Sequence, residues 1–212
     1  MSVDRSAIIA AAAKRHLAPL GMTRKGRSRT WLDDHGWWVG IVEFQPSAWG
    51  PGSYLNVGLM FLWRPLDHLA FEIGRRVDDF SPADDEHDFG TAIDSKAQLA
   101  GQEITGLRSR FGSLRDVSDY FEARPVRTMY DCAHAATARA LSGEVPAARE
   151  LFDEALELRE GASSAQWKAA EWMLQARAAA NDESVFRAWA GAALTGTRQA
   201  LRLPTNGALP ST

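Results

Sequence analysis

An α+β fold is predicted, with an N-terminal helix packed on an antiparallel sheet of about four strands and an all-α region after it. Three observations predict it. Residues 37–63, WWVGIVEFQPSAWGPGSYLNVGLMFLW, are the most apolar and aromatic stretch of the chain and split into two strand-like runs around Pro46, Gly50, Pro51 and Gly52. Ahead of them, Ile9, Ala13, Leu17 and Leu20 fall at helical spacing. Beyond about residue 125 the composition turns to Ala, Glu, Leu and Arg with no strand signal.

The first helix is capped by Ser2 or Asp4 and stopped by Pro19 and Gly21. The run RKGRSR, residues 24–29, holds four formal positives and reads as a turn into a short strand at Thr30–Asp33, followed by the turn Asp34-His35-Gly36. Alternation then sorts the faces of the long hairpin. Leu55, Val57, Leu59, Phe61 and Trp63 lie on the core side with Trp38, Val42 and Phe44 as partners. The other face joins Trp37, Val39, Ile41, Glu43 and Gln45 to Tyr54, Asn56, Gly58, Met60 and Leu62, apolar at one end and polar at the other. Such a face is either a binding surface, with Gly58 leaving room for a group to approach, or the rim of a helix-covered sheet.

Past Trp63, LAFEIGRRV at 69–77 reads as a further strand. The stretch 78–88, DDFSPADDEHD, carries six carboxylates and His87 but no calcium-loop spacing; it reads as a solvated loop that neutralises the basic turn. Ile93, Ala97, Ala100, Ile104, Leu107 and Phe111 predict a helix over 91–111, and Ser113 with Asp116 a capping-box start for the next, over 114–123.

Several of these pieces, in this order, resemble the bacterial family called domain of unknown function 4304. The resemblance rests on Gly21, Arg24, Lys25 and Gly26 in the turn after the leading helix, on Gln45, Ser47, Trp49 and Gly50 at the strand end, and on Asn56 and Gly58 in the following strand. Met22 stands where an aromatic is usual in that family. It covers about residues 8–120 and implies an α+β fold on an antiparallel sheet, with no activity attached. Within the C-terminal part, RALSGEVPAARELFDEALEL at 139–158 resembles the centre of a tetratricopeptide repeat, with Gly143 at the turn, Ala148 and Ala155 as the small residues and Phe152 as the packing aromatic. The domains are accordingly drawn as 1–123, α+β, and 124–212, a helical region with a disordered C-terminal tail.

The 212 residues carry 24 Lys and Arg against 27 Asp and Glu, and neither half is basic, so nucleic acid is not an expected partner. With no run of some eighteen apolar residues, no membrane span or leader is expected, and the chain reads as cytoplasmic; its single Cys132 agrees with a reducing compartment. No phosphate-binding loop, dinucleotide fingerprint, nucleophile elbow or metal-ligand spacing among the five histidines occurs, and no cofactor, metal or catalytic residue is assigned. Cys132 and His134, two apart on a helix, point to different faces. The acids Asp33 and Asp34 read as caps of their turn.

Two functions follow. The first is a non-catalytic module whose sheet holds a small polar or anionic ligand, or a peptide, through Arg24, Lys25, Glu43, Gln45, Ser47, Trp49, Tyr54 and Asn56. In it Trp49 serves as a lid and the C-terminal helices engage a protein partner or a homodimer. The grounds for the dimer are three Trp and two Phe over 126–203, on helices too few to enclose them. The second is an enzyme at the same face, with Glu43 as general base and Arg24 or Lys25 holding an anionic substrate.

Overall fold

The structure is a computed structural model that describes residues 4–158 and 164–210, with only the backbone described over 164–169. The chain is α+β, with an N-terminal helix, a five-stranded antiparallel sheet and then helices. It forms two compact units, 1–61 with 69–109 and 62–68 with 110–212.

The first unit begins with α1 (Arg5–Leu17), whose N-terminus is capped by the Asp4 carboxylate accepting from Ala7 N at 3.1 Å. A 3-10 turn over Ala18–Leu20 ends at Gly21 in the left-handed region. The sheet runs in sequence order through β1 (Thr23–Arg24), β2 (Thr30–Asp34), β3 (Trp38–Pro46), β4 (Gly52–Phe61) and β5 (Ile73–Pro82), and α2 (Glu86–Arg110) follows. The β3–β4 register pairs Val42 with Val57, Phe44 with Leu55, Glu43 with Asn56 and Gln45 with Tyr54, as alternation predicts. One face, carrying Trp31, Val42, Phe44, Leu55 and Val57, is closed by Ile9, Ala13 and Leu17 of α1 and by Phe89, Ile93, Ala97 and Ile104 of α2. Met22 joins this core, where its flexible thioether fills space between sheet and helices.

Past β4 the sequence-based boundaries move. The last strand spans 73–82 rather than 69–77, and α2 starts at 86 rather than 91. Most of the acidic stretch is therefore strand end and first helical turn, not loop, and Asp78 is bonded by Nζ of the buried Lys96 of α2 at 2.6 Å instead of by the basic turn. Period alone misreads this region because β5 carries two bulges against β4, which break the alternation.

The second unit is built around α4 (Met129–Leu141), flanked by α3 (Leu114–Glu122), α5 (Val145–Glu157) and α7 (Glu183–Leu201), with α6 (Ser164–Ala179) between α5 and α7. Alanines 133, 135, 136, 138 and 140 are all buried, so α4 is covered on every side, and short side chains let its neighbours approach closely. Capping boxes start α3 at Ser113 and α4 at Thr128. Gly143, at φ 81°, makes the turn between α4 and α5 that bulkier residues resist. Because α3 packs on α4, it belongs with the helices although the sequence reading placed it in a domain ending at 123.

Leu62–His68 is this unit's contribution from between β4 and β5. Trp63 Nε1 donates to Nδ1 of the buried His134 at 3.1 Å, and Phe121 stacks on the same imidazole with ring centres 5.4 Å apart. Phe152, Phe186 and Trp172 are likewise buried and Trp189 is half-buried, so the premise that the aromatics of 126–203 are left uncovered fails for these side chains. The side chain of Trp167 lies outside the described residues. The C-terminal tail, expected to be disordered, is held along α7 as far as residue 210: Arg198 Nε donates to Pro204 O at 2.8 Å and Arg187 to Pro210 O at 2.9 Å.

Candidate functional site

The sheet face turned away from α1 and α2 divides as alternation predicts. Leu32, Val39, Ile41 and Met60 are buried, whereas Glu43, Gln45, Tyr54 and Asn56 are half-exposed. The polar end is one network. Asn56 Nδ2 donates to Glu43 Oε2 at 3.0 Å and to Gln45 Oε1 at 2.9 Å, and Arg76 donates to the same Gln45 oxygen at 3.1 Å. The Arg76 guanidinium lies 3.9 Å from the centre of the Tyr54 ring, and Tyr54 meets Phe80 at 5.1 Å. The register explains the convergence: Thr30, Glu43, Asn56 and Arg76 sit opposite one another across β2 to β5. Lys25, whose amide donates to Thr30 O at 2.9 Å, extends that row.

Arg24 departs from the expectation. It pairs with Trp31, which puts it on the opposite face, and its guanidinium donates to Ser28 O at 2.6 Å and Arg27 O at 3.0 Å, so it closes its own turn. Ser47 is likewise a loop residue, with its hydroxyl accepting from Trp49 N at 3.0 Å. Trp49 covers nothing: it is 96% exposed, and the lid is not formed. Gly58 leaves no open space either. A Cβ there would lie 2.2 Å from Ile73 O and 2.8 Å from Phe71, because β5 and Phe71 occupy the gap that the missing side chain makes.

Arg76 is the residue that sequence reading missed. In GRRV it looked like the polar end of a strand; only the bulged pairing of β5 shows which of the two arginines shares a face with Asn56. Arg75 is on the helix-covered side, where it pairs with Glu103 at 2.8 Å.

Two other polar groupings are structural. Asp33 is buried in β2 rather than placed in a turn, and Arg108 grips both its oxygens at 2.6 and 2.8 Å while His35 Nε2 bonds Oδ2 at 2.7 Å. Burial pushes the Asp33 carboxyl up, but the hydrogen bonds and charges of His35 and Arg108 outweigh it and hold it below the usual range. Arg108 also donates to Leu20 O at 2.6 Å, so the group ties α2 to β2 and to the end of the 3-10 turn. Only Asp34 caps, accepting from Gly36 N at 3.0 Å. An open groove of ≈ 790 Å³ between α1 and α2 is lined by Ile8, Ala12, Arg15, His87, Thr91 and Asp94. There Arg15 and His16 are both bonded to Asp94, and Thr91 is bonded to its own helix.

In the helical unit, burial pushes the Cys132 thiol up to about 12, with further help from the Glu154 charge, which suits core packing and removes the thiolate a nucleophile needs. Among the described residues no group of three or more His, Cys, Asp or Glu is placed to hold a metal ion, and no helix is long and apolar enough to cross a membrane. No family model, curated protein or solved structure matches this chain.

Proposed function

We propose that the first unit is a non-catalytic binding module for a small polar ligand carrying a carboxylate, held at the half-exposed polar end of the sheet face turned away from α1 and α2. One observation carries this reading: three strands deliver Glu43, Gln45, Asn56, Tyr54 and Arg76 to one half-exposed network in which Arg76 uses a single nitrogen on the protein. Its remaining N–H groups suit a carboxylate, and the ring beneath keeps the guanidinium planar to the face and limits its rotamers. Asn56 and Gln45 set orientation and Tyr54 offers an apolar side. The helical unit, in this reading, engages a protein partner. The enzyme alternative has less support, since the carboxylate it needs as a base is already bonded by Asn56 on an open face.

Assignment to domain of unknown function 4304 over residues 8–120, and of the α4–α5 hairpin to the tetratricopeptide class, are part of this proposal and rest on motifs alone. The test is a thermal-shift screen with mono- and dicarboxylates, amino acids, sugars and nucleotides, repeated on Arg76→Ala. A carboxylate that raises the melting temperature of the parent chain and not of Arg76→Ala supports the module. A ligand that is chemically converted replaces it with the enzyme.

A further inference from the structure

Strand order fixes what lies side by side at the end of the first unit where the β3–β4 hairpin turns. Going from the β1 edge to the β5 edge, one meets the basic turn 24–29, then the hairpin tip 46–52, then the acidic junction of β5 and α2. Phe44 N donates to Arg29 O at 3.1 Å, which sets the basic turn against one flank of the tip. Ala83 N donates to Pro51 O at 2.9 Å, which sets Asp84, Asp85 and Glu86 against the other. The tip itself, PSAWGPG, holds no charged residue and raises Trp49 almost wholly into solvent.

Several charges on the two flanks form no ion pair among the described residues. Several other cations of this unit are matched, Arg15 with Asp94, Arg75 with Glu103, Lys96 with Asp78 and Arg108 with Asp33. Arg24, Arg27 and Arg29 form no ion pair with any described residue, nor does Arg5, which α1 brings beside them through the Arg29 to Ser6 hydrogen bond of 3.2 Å. Burial and then the charge of Arg5 lower the Arg29 pKa, a sign of like charges held together without a counter-ion. Across the tip, Asp84 and Glu86 are exposed and form no ion pair among the described residues.

We infer that this end of the first unit is a self-association surface, whose partner is a second copy of the chain docked about a two-fold axis through the Trp49 tip. A two-fold axis lying in the interface and perpendicular to the positive, apolar, negative row lays each basic turn on the acidic junction of the other copy and tip upon tip. The row is complementary to itself. An anionic lipid layer or a polyanion would meet the basic turn but be repelled by Asp84 and Glu86 on the far flank. Tryptophan is the side chain most able to anchor such a contact, since it buries a large rigid area at small entropic cost, and the flanking charges set orientation and salt dependence. This surface does not include the Asn56 network and stands whether or not that face binds a ligand.

The test is sedimentation velocity over a range of chain concentrations at low and high salt. The parent chain is expected to dimerise reversibly in the micromolar range, with weaker association at high salt. Trp49→Ala should weaken the dimer by at least about tenfold while leaving thermal melting unchanged, because its side chain touches nothing in the monomer. Arg27→Glu puts a carboxylate into the basic turn and Asp84→Arg puts a cation into the acidic junction; each alone should dimerise more weakly than the parent, and an equimolar mixture of the two should recover a mixed dimer. A parent chain that stays monomeric at low salt overturns the inference. So does a dimer indifferent to Trp49→Ala, or charge variants whose mixture associates no better than either alone.

Discussion

Beneath α1 and α2, one face of the sheet carries Trp31, Val42, Phe44, Leu55 and Val57; on the same strands, the other face ends in Glu43, Gln45, Tyr54, Asn56 and Arg76. The covered side includes buried charges too, and these are consumed: Asp33 is gripped by Arg108 and His35, and Lys96 by Asp78 and Asp79. On the open face the polar groups bond one another and keep capacity to spare. The contrast teaches that polarity alone does not mark a site. Burial presses charged groups on the closed side to be satisfied within the protein, although the buried Trp31 Nε1 has no partner there, whereas the open side is under no such demand, so its arrangement is available for recognition.

Substitutions on the two faces should therefore differ in kind, and the largest effect belongs to the closed one. Phe44→Ala empties fully buried volume between sheet and helices and should cost about 3–5 kcal/mol in chemical denaturation. Arg108→Ala leaves the buried Asp33 with only His35; since the Arg108 side chain is partly exposed, the expected loss is about 2–3 kcal/mol. A loss no greater than that of a surface substitution would erase the distinction between satisfied and spare polar groups.

Acid should probe the same pair. The Asp33 carboxyl is held below its unfolded value, so its contribution is fully present above about pH 4 and is lost as pH falls through the folded pKa. Asp33→Asn should flatten stability against pH below about 4 by up to roughly 1.4 kcal/mol per pH unit, and an unchanged slope would assign the acid sensitivity elsewhere. On the open face, Asn56→Ala should cost only about 1 kcal/mol, because Glu43 and Gln45 can turn to water. Arg76→Ala should change stability by no more than about 0.5 kcal/mol yet abolish any carboxylate-induced rise in melting temperature. A destabilised Arg76→Ala would make the network a structural brace like that of Asp33.

The faces of the hairpin were legible because β3 and β4 alternate without interruption, so the sidedness of Glu43, Gln45, Tyr54 and Asn56 could be read residue by residue, while the register came from the fold. What lay beyond Trp63 was not. Two bulges in β5 hid which arginine reaches the open face, and charge-rich residues of strand end and helix start looked like one loop. Arg24 was misplaced for a different reason: a basic residue before a glycine turn looks available, and nothing in the sequence shows that its guanidinium is spent on the carbonyls of Arg27 and Ser28. Asp33 was misjudged because its partner Arg108 is 75 positions away. Short-range pattern carries strand faces and caps; pairings that distant are carried by the fold.

Leu62–His68 has a consequence for the order in which the chain can be assembled. As a ribosome delivers residues at roughly 5–20 per second, Trp63 emerges long before His134, 71 positions later, a wait of roughly 4–14 s. Until then a large indole that ends fully enclosed has no pocket to enter, and the segment that carries it cannot settle even if β1 to β4 have already paired. The helical unit is thus threaded through the sheet unit's own sequence. A fragment beginning at residue 110 would lack Trp63, and one ending at 109 would display it, so neither half of the polypeptide can be cut out by a single cleavage without leaving that hydrophobic side chain on the wrong piece.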